Sequence, residues 1–322
     1  MTIFGKIRAL TVKHFRRTFP SFTRFIMTRL VDINADSSRF IRSEILRTEV
    51  ARMQHVLRDL HFDQGLHVTK DEIHVEFEGI FLSAARSTRY YKVPRGRDGN
   101  EGKALAEFLA DHNIVVNSMV DLGANFGEIS LYFAKNFPEA SILAIEASPE
   151  NYSVLQENIA TQFFRTENIT AINKAVSDKP GEINITAGMG SENTILFNEN
   201  FEKNYRGYER GMEKVAADTL VDILSDHNVQ NIDFLKVDIE GAEPLLYESL
   251  DTLLAKIRAI YIEVSWRNDA EKYLRLLRMI YDRSDCYTAD GAKVSTFELL
   301  ESRIHALDTK IGFDLWFLPN SK

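Results

Sequence analysis

The sequence has a single cysteine, Cys286, in 322 residues. That excludes an intramolecular disulfide and a cysteine-built zinc site, fits a reducing compartment, and leaves Cys286 to be read as a small buried residue. No apolar run approaches the roughly 20 residues that span a bilayer, and the N-terminus lacks the unbroken apolar core of a secretory signal. A basic excess is missing too. The 39 Lys and Arg stand against 47 Asp and Glu, a net charge of −8, so no overall field favours nucleic acid. There is no internal repeat and no low-complexity tract. These absences point to a cytoplasmic globular protein with no nucleic-acid partner.

Acids are absent from one stretch. Residues 1–31 carry Lys6, Arg8, Lys13, Arg16, Arg17, Arg24 and Arg29 but no Asp or Glu, interleaved with Phe4, Phe15, Phe19, Phe22, Phe25 and Ile26. Such a segment suits packing on the acidic remainder of the chain or on a second subunit of a homo-oligomer. It also suits peripheral contact with an anionic membrane, or a transit peptide.

What is present is a change of rhythm near residue 100. Residues 1–60 have helical spacing, with Ile41, Ile45, Leu46, Val50, Met53 and Leu57 on one stripe. Leu66–Val68, Ile73–Phe77 and Ile80–Leu82 read as a short-stranded meander. The turn-rich segment VPRGRDGNEG, 93–102, marks the boundary. The chain is thus expected to hold a helical and short-strand extension over 1–100 and a second domain over 101–322.

From Lys103 onward strands and helices alternate. Strands are expected at Ser118–Leu122, Ser141–Ile145, Ile169–Val176, Glu182–Thr186, Ile232–Val237, Ile257–Val264, Cys286–Ala289 and Phe313–Leu318. Helices are expected at Lys103–His112, Glu128–Asn136, Pro149–Thr161, Thr219–His227, Pro244–Leu253 and Asp269–Tyr281. Repeated βα units imply an α/β, doubly wound, mostly parallel sheet with helices on both faces. Gly188–Arg210 breaks the rhythm and reads as a functional lid or insert.

Three patches carry chemistry. In MVDLGANFG, 119–127, a strand runs into Asp121, then Gly123, Asn125 and Gly127, then a helix. Such a turn brings backbone and helix N–H groups to the crevice at the strand ends. Its G-x-x-x-G spacing departs from the dinucleotide fingerprint. Glu146 ends the next strand, where an acid can accept hydrogen bonds from ribose hydroxyls. In FLKVDIEGAE, 234–243, Lys236, Asp238 and Glu240 share one face if the strand stays extended that far. Placing one cation and two acids at the core end of a sheet costs desolvation, which favours function over a simple charge cap. Glu263, near the end of the next strand, is a fourth candidate.

VDLGANFG at 120–127, IEASPENY at 145–152, NKAVSD at 173–178, ADTLVDIL at 217–224, FLKVDIEGAE at 234–243 and IEVS at 262–265 together resemble the FkbM family of S-adenosylmethionine-dependent methyltransferases. The resemblance covers about residues 103–318. It implies a Rossmann-like class I methyltransferase sheet with an antiparallel C-terminal strand. It also implies S-adenosylmethionine as cofactor, and a hydroxylated small molecule or glycan as acceptor. By resemblance, Asp121, Gly123, Asn125 and Gly127 would line the methionine and ribose part of the cofactor and Glu146 would hold the ribose. Ala147, Ser148, Val176 and Ser177 would edge the adenine, and Asp238 would approach the methionine end and the reacting centre. Many members carry a histidine where this chain reads Ser265 and Trp266. The proton acceptors left are Lys236, Asp238, Glu240 and Glu263. Two acids, Asp238 and Glu240, are too few for a metal site, and none is expected. The alternatives on this fold class are an NAD- or nucleotide-sugar-binding enzyme and a binding protein that has lost its chemistry.

Overall fold

The computed structural model describes residues 65–68, 73–77, 80–83, 101–186, 212–264, 270–305 and 312–320. The expected N-terminal helices, the basic segment 1–31, most of the turn-rich stretch 93–102, the lid 188–210, and Ser265 and Trp266 lie outside the described residues. The described residues fall into two compact units. One holds the antiparallel meander β1 (Gly65–Val68), β2 (Ile73–Phe77) and β3 (Ile80–Ser83). The other holds everything from Glu101 onward.

That second unit is built on a seven-stranded sheet. Its strands in chain order are β4 (Ser118–Leu122), β5 (Ser141–Glu146), β6 (Ile169–Asn173), β10 (Phe234–Val237), β11 (Ile260–Val264), β12 (Ser284–Thr288) and β13 (Phe313–Pro319). They lie in the order β12-β13-β11-β10-β4-β5-β6. The pairs β10–β11, β10–β4, β4–β5 and β5–β6 are parallel. β13 is antiparallel to both its neighbours. The chain winds outward from β4 through β5 to β6, then returns to place β10 on the other side of β4. The crevice outside the carboxyl ends of β4 and β10 is therefore the topological switch point, where open α/β sheets bind ligands.

The helices are α1 (Glu101–Asp111), α2 (Glu128–Asn136), α3 (Pro149–Ala160), α4 (Leu220–Asp226), α5 (Tyr247–Leu253), α6 (Ala270–Tyr281) and α7 (Phe297–His305). Local chemistry starts two of them. The Ser148 and Thr219 side chains accept from Asn151 N–H and Asp222 N–H at the N-termini of α3 and α4, satisfying donors that helix ends leave unpaired.

Strand alternation divides the sheet into two faces. Val120, Leu122, Leu235, Val237, Ile260, Ile262, Leu315 and Phe317 belong to one buried cluster with residues of α4 to α7. The other face is aromatic at its base. Trp316 stacks on Phe108 of α1 with centroids 4.1 Å apart, and Phe234 stacks on Trp316 at 5.5 Å and tilts against Phe133 of α2 at 5.2 Å. Toward the strand ends that second face turns polar. Cys286 is buried as expected, and burial pushes its thiol up to about 12. Among the described residues no helix is long and apolar enough to cross a membrane.

The structure corrects four expectations about elements. The expected strand Ile169–Val176 breaks at Lys174, and Ala175–Val176 becomes β7 of a separate sheet, β7-β9-β8. In that sheet β8 is Gly181–Thr186 and β9 is Met212–Asp218. β9 was not expected. It pairs antiparallel with β8 and parallel with β7, which buries Val215 and Ala217 beside Ala175 and Ile185. Helix α7 was also not expected, although Phe297, Leu300 and Ile304 are buried at helical spacing. The helix expected from Pro244 opens instead as a 3-10 turn, η1 (Glu243–Leu246), before α5.

Candidate active site

The tips of β4 and β5 are joined by backbone. Gly123 and Ala124 donate their N–H groups to Ile145 O at 2.9 and 3.0 Å. Asn125 then turns left-handed, with φ of 51°, and its N–H meets Glu146 Oε2 at 2.8 Å. Glu146 Oε1 accepts from Ser148 N–H at 2.9 Å and from Asn151 Nδ2 at 3.4 Å. The carboxylate thus clamps the glycine turn to the start of α3. Burial pushes Glu146 above the usual carboxylate range, opposed by the Ser148 and Asn125 N–H groups.

Two glycines have reasons internal to the protein. Gly123 has φ of 77°, and a Cβ there would lie 1.8 Å from Asp238 O. No side chain fits between the tips of β4 and β10. A Cβ on Gly127 would lie 2.5 Å from Leu155 of α3, so this glycine lets α2 pack close to its neighbour. Both requirements come from protein neighbours, and neither depends on a ligand.

Beside the clamp lies a buried charge cluster. Register places Lys236 opposite Asp121 on one side and Tyr261 on the other, on one face of the sheet. Two residues further along, Asp238, Glu263 and Asp314 follow, with Glu263 paired to Asp314 across β11 and β13. Lys236 Nζ is 3.5 Å from Asp121 Oδ1 and 3.3 Å from Asp238 Oδ2, and donates to Gly123 O at 3.2 Å. Burial works against the ammonium, yet the charges of Asp238, Asp121 and Glu101 outweigh it and hold Lys236 above the ordinary lysine value. The two flanking carboxylates thus favour the ammonium form of Lys236.

Asp121 is buried and accepts from Ser130 Oγ at 2.6 Å. Its contacts are with Ser130 of α2 and Lys236 of β10. Asp238 is the accessible member of the set, with 37% of its side chain exposed.

Around it burial raises the other carboxyls. Glu101 and Glu243 are pushed up to about 7, and Asp314 to about 6, burial being the main cause in each. Glu263 is raised by burial and by the charges of Asp238 and Glu243. Tyr261 is held above its ordinary value by burial and by Asp314. A carboxyl poised nearer neutrality can hold or accept a proton at working pH.

The strand ends at Val237, and Glu240 sits in a left-handed turn with φ of 56°. The expected alternation of Lys236, Asp238 and Glu240 therefore stops at Asp238. The carboxylate that joins Asp238 is Glu243. One oxygen each of Asp238, Glu243 and Glu263 lies within 4.8 Å of the others, as close as metal ligands come. Glu243 is already engaged. Its Oε1 accepts from Ile239 N–H at 2.9 Å and Gly241 N–H at 3.3 Å, and its Oε2 accepts from Tyr273 OH.

The residues expected around an adenine divide. Ser148 belongs to the Glu146 clamp. Ala147 O accepts from Asn173 Nδ2 at 2.9 Å. Val176 and Ser177 lie in and just after β7, where Ser177 N–H binds Asp218 O at 2.9 Å and its Oγ donates to Asp178 at 3.2 Å. Sequence reasoning missed Glu101, Ser130, Glu243, Tyr261, Tyr273 and Asp314. Asp314 left a signal, being an acid inside the apolar strand FDLWFLP. Glu101, Tyr261 and Tyr273 left none.

Sheet order, switch point and paired strand tips together define a Rossmann-like methyltransferase fold. Residues 121–291 match the family described as Methyltransferase FkbM domain, and the chain belongs to that family. It is 32% identical over 174 residues to "Methyltransferase sdnD" of Sordaria araneosa, a match that covers 45% of this chain and 67% of that protein. It is 27% identical over 146 residues to "Methyltransferase 1" of Beauveria bassiana (strain ARSEF 2860), covering 41% of this chain and 58% of that protein. Among solved structures it is similar to the precorrin-6y C5,15-methyltransferase of Geobacter metallireducens GS-15. That match has 10% identity and a TM-score of 0.40, over 74% of this chain and 97% of that one.

Proposed function

We propose that the chain is an S-adenosylmethionine-dependent O-methyltransferase acting on a hydroxylated small molecule or glycan. One observation carries the reading. The tips of β4 and β5 are locked together through Asn125 N–H and Glu146, directly beside the carboxylates at the tips of β10 and β11. A nucleoside-bearing cofactor held at the first pair of tips would lie beside a proton acceptor at the second.

The residues present suit such a cofactor. Asn125 Oδ1 is buried and has no hydrogen-bond partner, an acceptor placed for a ligand donor. Glu146 Oε1 already accepts from two donors, whereas Oε2 accepts from Asn125 N–H and keeps a lone pair for a ribose hydroxyl. Gly123, Asn125, Glu146, Ala147 and Ser148 would hold the adenosyl part, with Val176 and Ser177 toward the adenine and Asp238 toward the methionine end. When bound, the cofactor supplies a methyl group on a sulfonium whose leaving group is a neutral thioether.

The protein's part is to align the acceptor oxygen and take its proton. Asp238 has 37% of its side chain exposed, and one oxygen of Glu263 lies within 4.8 Å of it. Two carboxyls this close disfavour double ionisation, which raises Glu263 and leaves Asp238 the better placed of the two to take the proton. Lys236 holds Asp238 in place by charge. A hydroxyl, which must lose a proton on methylation, suits this acid-rich end of the crevice. Membership of the methyltransferase family favours this reading over the NAD or nucleotide-sugar alternative.

The test combines methyl-labelled S-adenosylmethionine with a panel of sugars, glycosides and phenols, read by mass spectrometry. A product bearing the label on oxygen is expected, and Asp238→Ala should abolish it. Labelled product from the Asp238→Ala variant at the full rate removes Asp238 from the mechanism. Label on nitrogen or carbon alone replaces the O-methyl reading.

A further inference from the structure

We infer that Glu243 and Tyr273 are positioning residues that hold Asp238 in register with the cofactor site, an inference that rests on the reading just given. Asp238 directly follows Val237, the last residue of its strand. The chain then passes through two left-handed residues, Glu240 with φ of 56° and Gly241 with φ of 99°. Left alone, such a turn has no strand ladder to set its geometry.

The Glu243 carboxylate replaces that ladder. It reaches back to accept from Ile239 N–H and Gly241 N–H, the donors on either side of Glu240. It is fully buried, and the equally buried Tyr273 of α6 donates to its other oxygen. The turn is thus tied through one carboxylate to a helix of the opposite face. At its start the same turn is keyed to the glycine loop. Asp238 N–H binds Leu122 O at 3.1 Å, and Asp238 O fills the space where a Gly123 side chain would be. A shift of the turn therefore moves Asp238 relative to Lys236 and relative to the cofactor loop together. Glu243 is fully buried, with both oxygens engaged by the turn and by Tyr273, so its effect on a ligand runs through Asp238.

This role has a signature that a stability role lacks. S-adenosylmethionine carries a sulfonium charge and S-adenosylhomocysteine does not. A correctly aimed Asp238 carboxylate favours the first over the second. The ratio of the two affinities reads the aim of Asp238, whereas general loosening of the site lowers both alike.

The experiment is calorimetry of the full chain with each of the two compounds. The variants are Asp238→Asn, Glu243→Met, Glu243→Gln and Tyr273→Phe, each checked for a cooperative thermal melt. Asp238→Asn sets the scale, with an expected fall in the ratio of about fivefold, the upper end for a part-exposed charge pair. Glu243→Met, which removes both acceptors at similar volume, should reproduce most of that fall. Glu243→Gln, whose amide oxygen can still accept both N–H groups, should restore the ratio. Tyr273→Phe should lie between them, and it carries the test if the Met variant does not fold. An unchanged ratio in both Glu243→Met and Tyr273→Phe, or equal loss of both affinities, overturns the positioning role. An unaltered chain that binds neither compound removes the cofactor reading, and this inference falls with it. An Asp238→Asn ratio equal to that of the unaltered chain shows that Asp238 does not face the sulfonium, and it also ends the proposal.

Discussion

Lys236 Nζ lies 3.5 Å from Asp121 Oδ1 on the neighbouring strand, with 5% and 1% of their side chains exposed. The pair is among the most deeply buried polar contacts of the sheet. Replacing one member strands the other, because an uncompensated charge in a low-dielectric interior costs far more than the pair stabilises. Lys236→Met should destabilise the domain by about 3–5 kcal/mol. Lys236→Met combined with Asp121→Asn should recover part of that loss. Urea denaturation of the three proteins measures both effects, and a Lys236→Met variant as stable as the unaltered chain would contradict the buried pair.

Gly123 tests the closeness of β4 and β10. Alanine there adds a Cβ at 1.8 Å from a carbonyl oxygen, in a backbone conformation with φ of 77° that L side chains avoid. Neither atom belongs to a flexible side chain, so the strands must part. Gly123→Ala should cost at least about 1–3 kcal/mol, the usual range for overpacking. It should also weaken cofactor binding, since Asp238 moves with its own carbonyl. Thermal melts and calorimetry with S-adenosylhomocysteine report the two effects separately.

Glu146 separates binding from turnover. Glu146→Ala leaves Asn125 N–H and Ser148 N–H without their acceptor, at about 1–3 kcal/mol for each buried donor. Losing a charged acceptor for ribose should lower cofactor affinity by about tenfold to a hundredfold. The turnover rate at saturating cofactor should change much less. A variant with unaltered affinity would show that Glu146 serves only the β4–β5 clamp.

Five buried carboxyls, Glu101, Glu146, Glu243, Glu263 and Asp314, stand above their ordinary values and bias the pH dependence in one direction. Glu101 and Glu243 titrate near 7 and Asp314 near 6 in the folded chain, all above their ordinary values. The groups facing them are Lys236 of β10, Asp238 of the following turn, Tyr261 and Glu263 of β11, Tyr273 of α6 and Glu128 of α2. A folded-state pKa above the unfolded one means that the folded chain holds the proton more tightly. The stability these groups contribute is fully present below the unfolded values and is lost as pH rises through the folded ones. The domain should therefore melt higher at about pH 5 than at about pH 8. Glu243→Gln, fixed in the uncharged state, should flatten the profile near 7. A rising profile over that interval would contradict the buried cluster.

Much of the architecture was legible because it depends on local pattern. The strand–turn–helix at 118–136 and the strand ending at Glu146 follow from apolar runs, glycine and helix-start chemistry, which operate over a few residues. Residues that act through distant partners were not legible. Glu243 follows the recognised Asp238 by five positions, yet its value comes from Tyr273, on a helix about thirty residues away. Asp314 joins the site because β13 runs antiparallel beside β11. β9 was unreadable alone, since MEKVAAD becomes a strand only by pairing with β7 and β8.

The sequence by itself determined the alternating α/β framework, the switch-point crevice and the motifs of the FkbM family. Periodicity and turn residues impose these through short-range sterics and burial. Only the tertiary structure decided which charged groups share the crevice and in what state. Asp121 became a buried partner of Lys236, Glu240 turned aside, and Glu243, Glu263 and Asp314 gathered around Asp238. Protonation and aim depend on burial and on distances between strands far apart in the chain, and no local pattern encodes either.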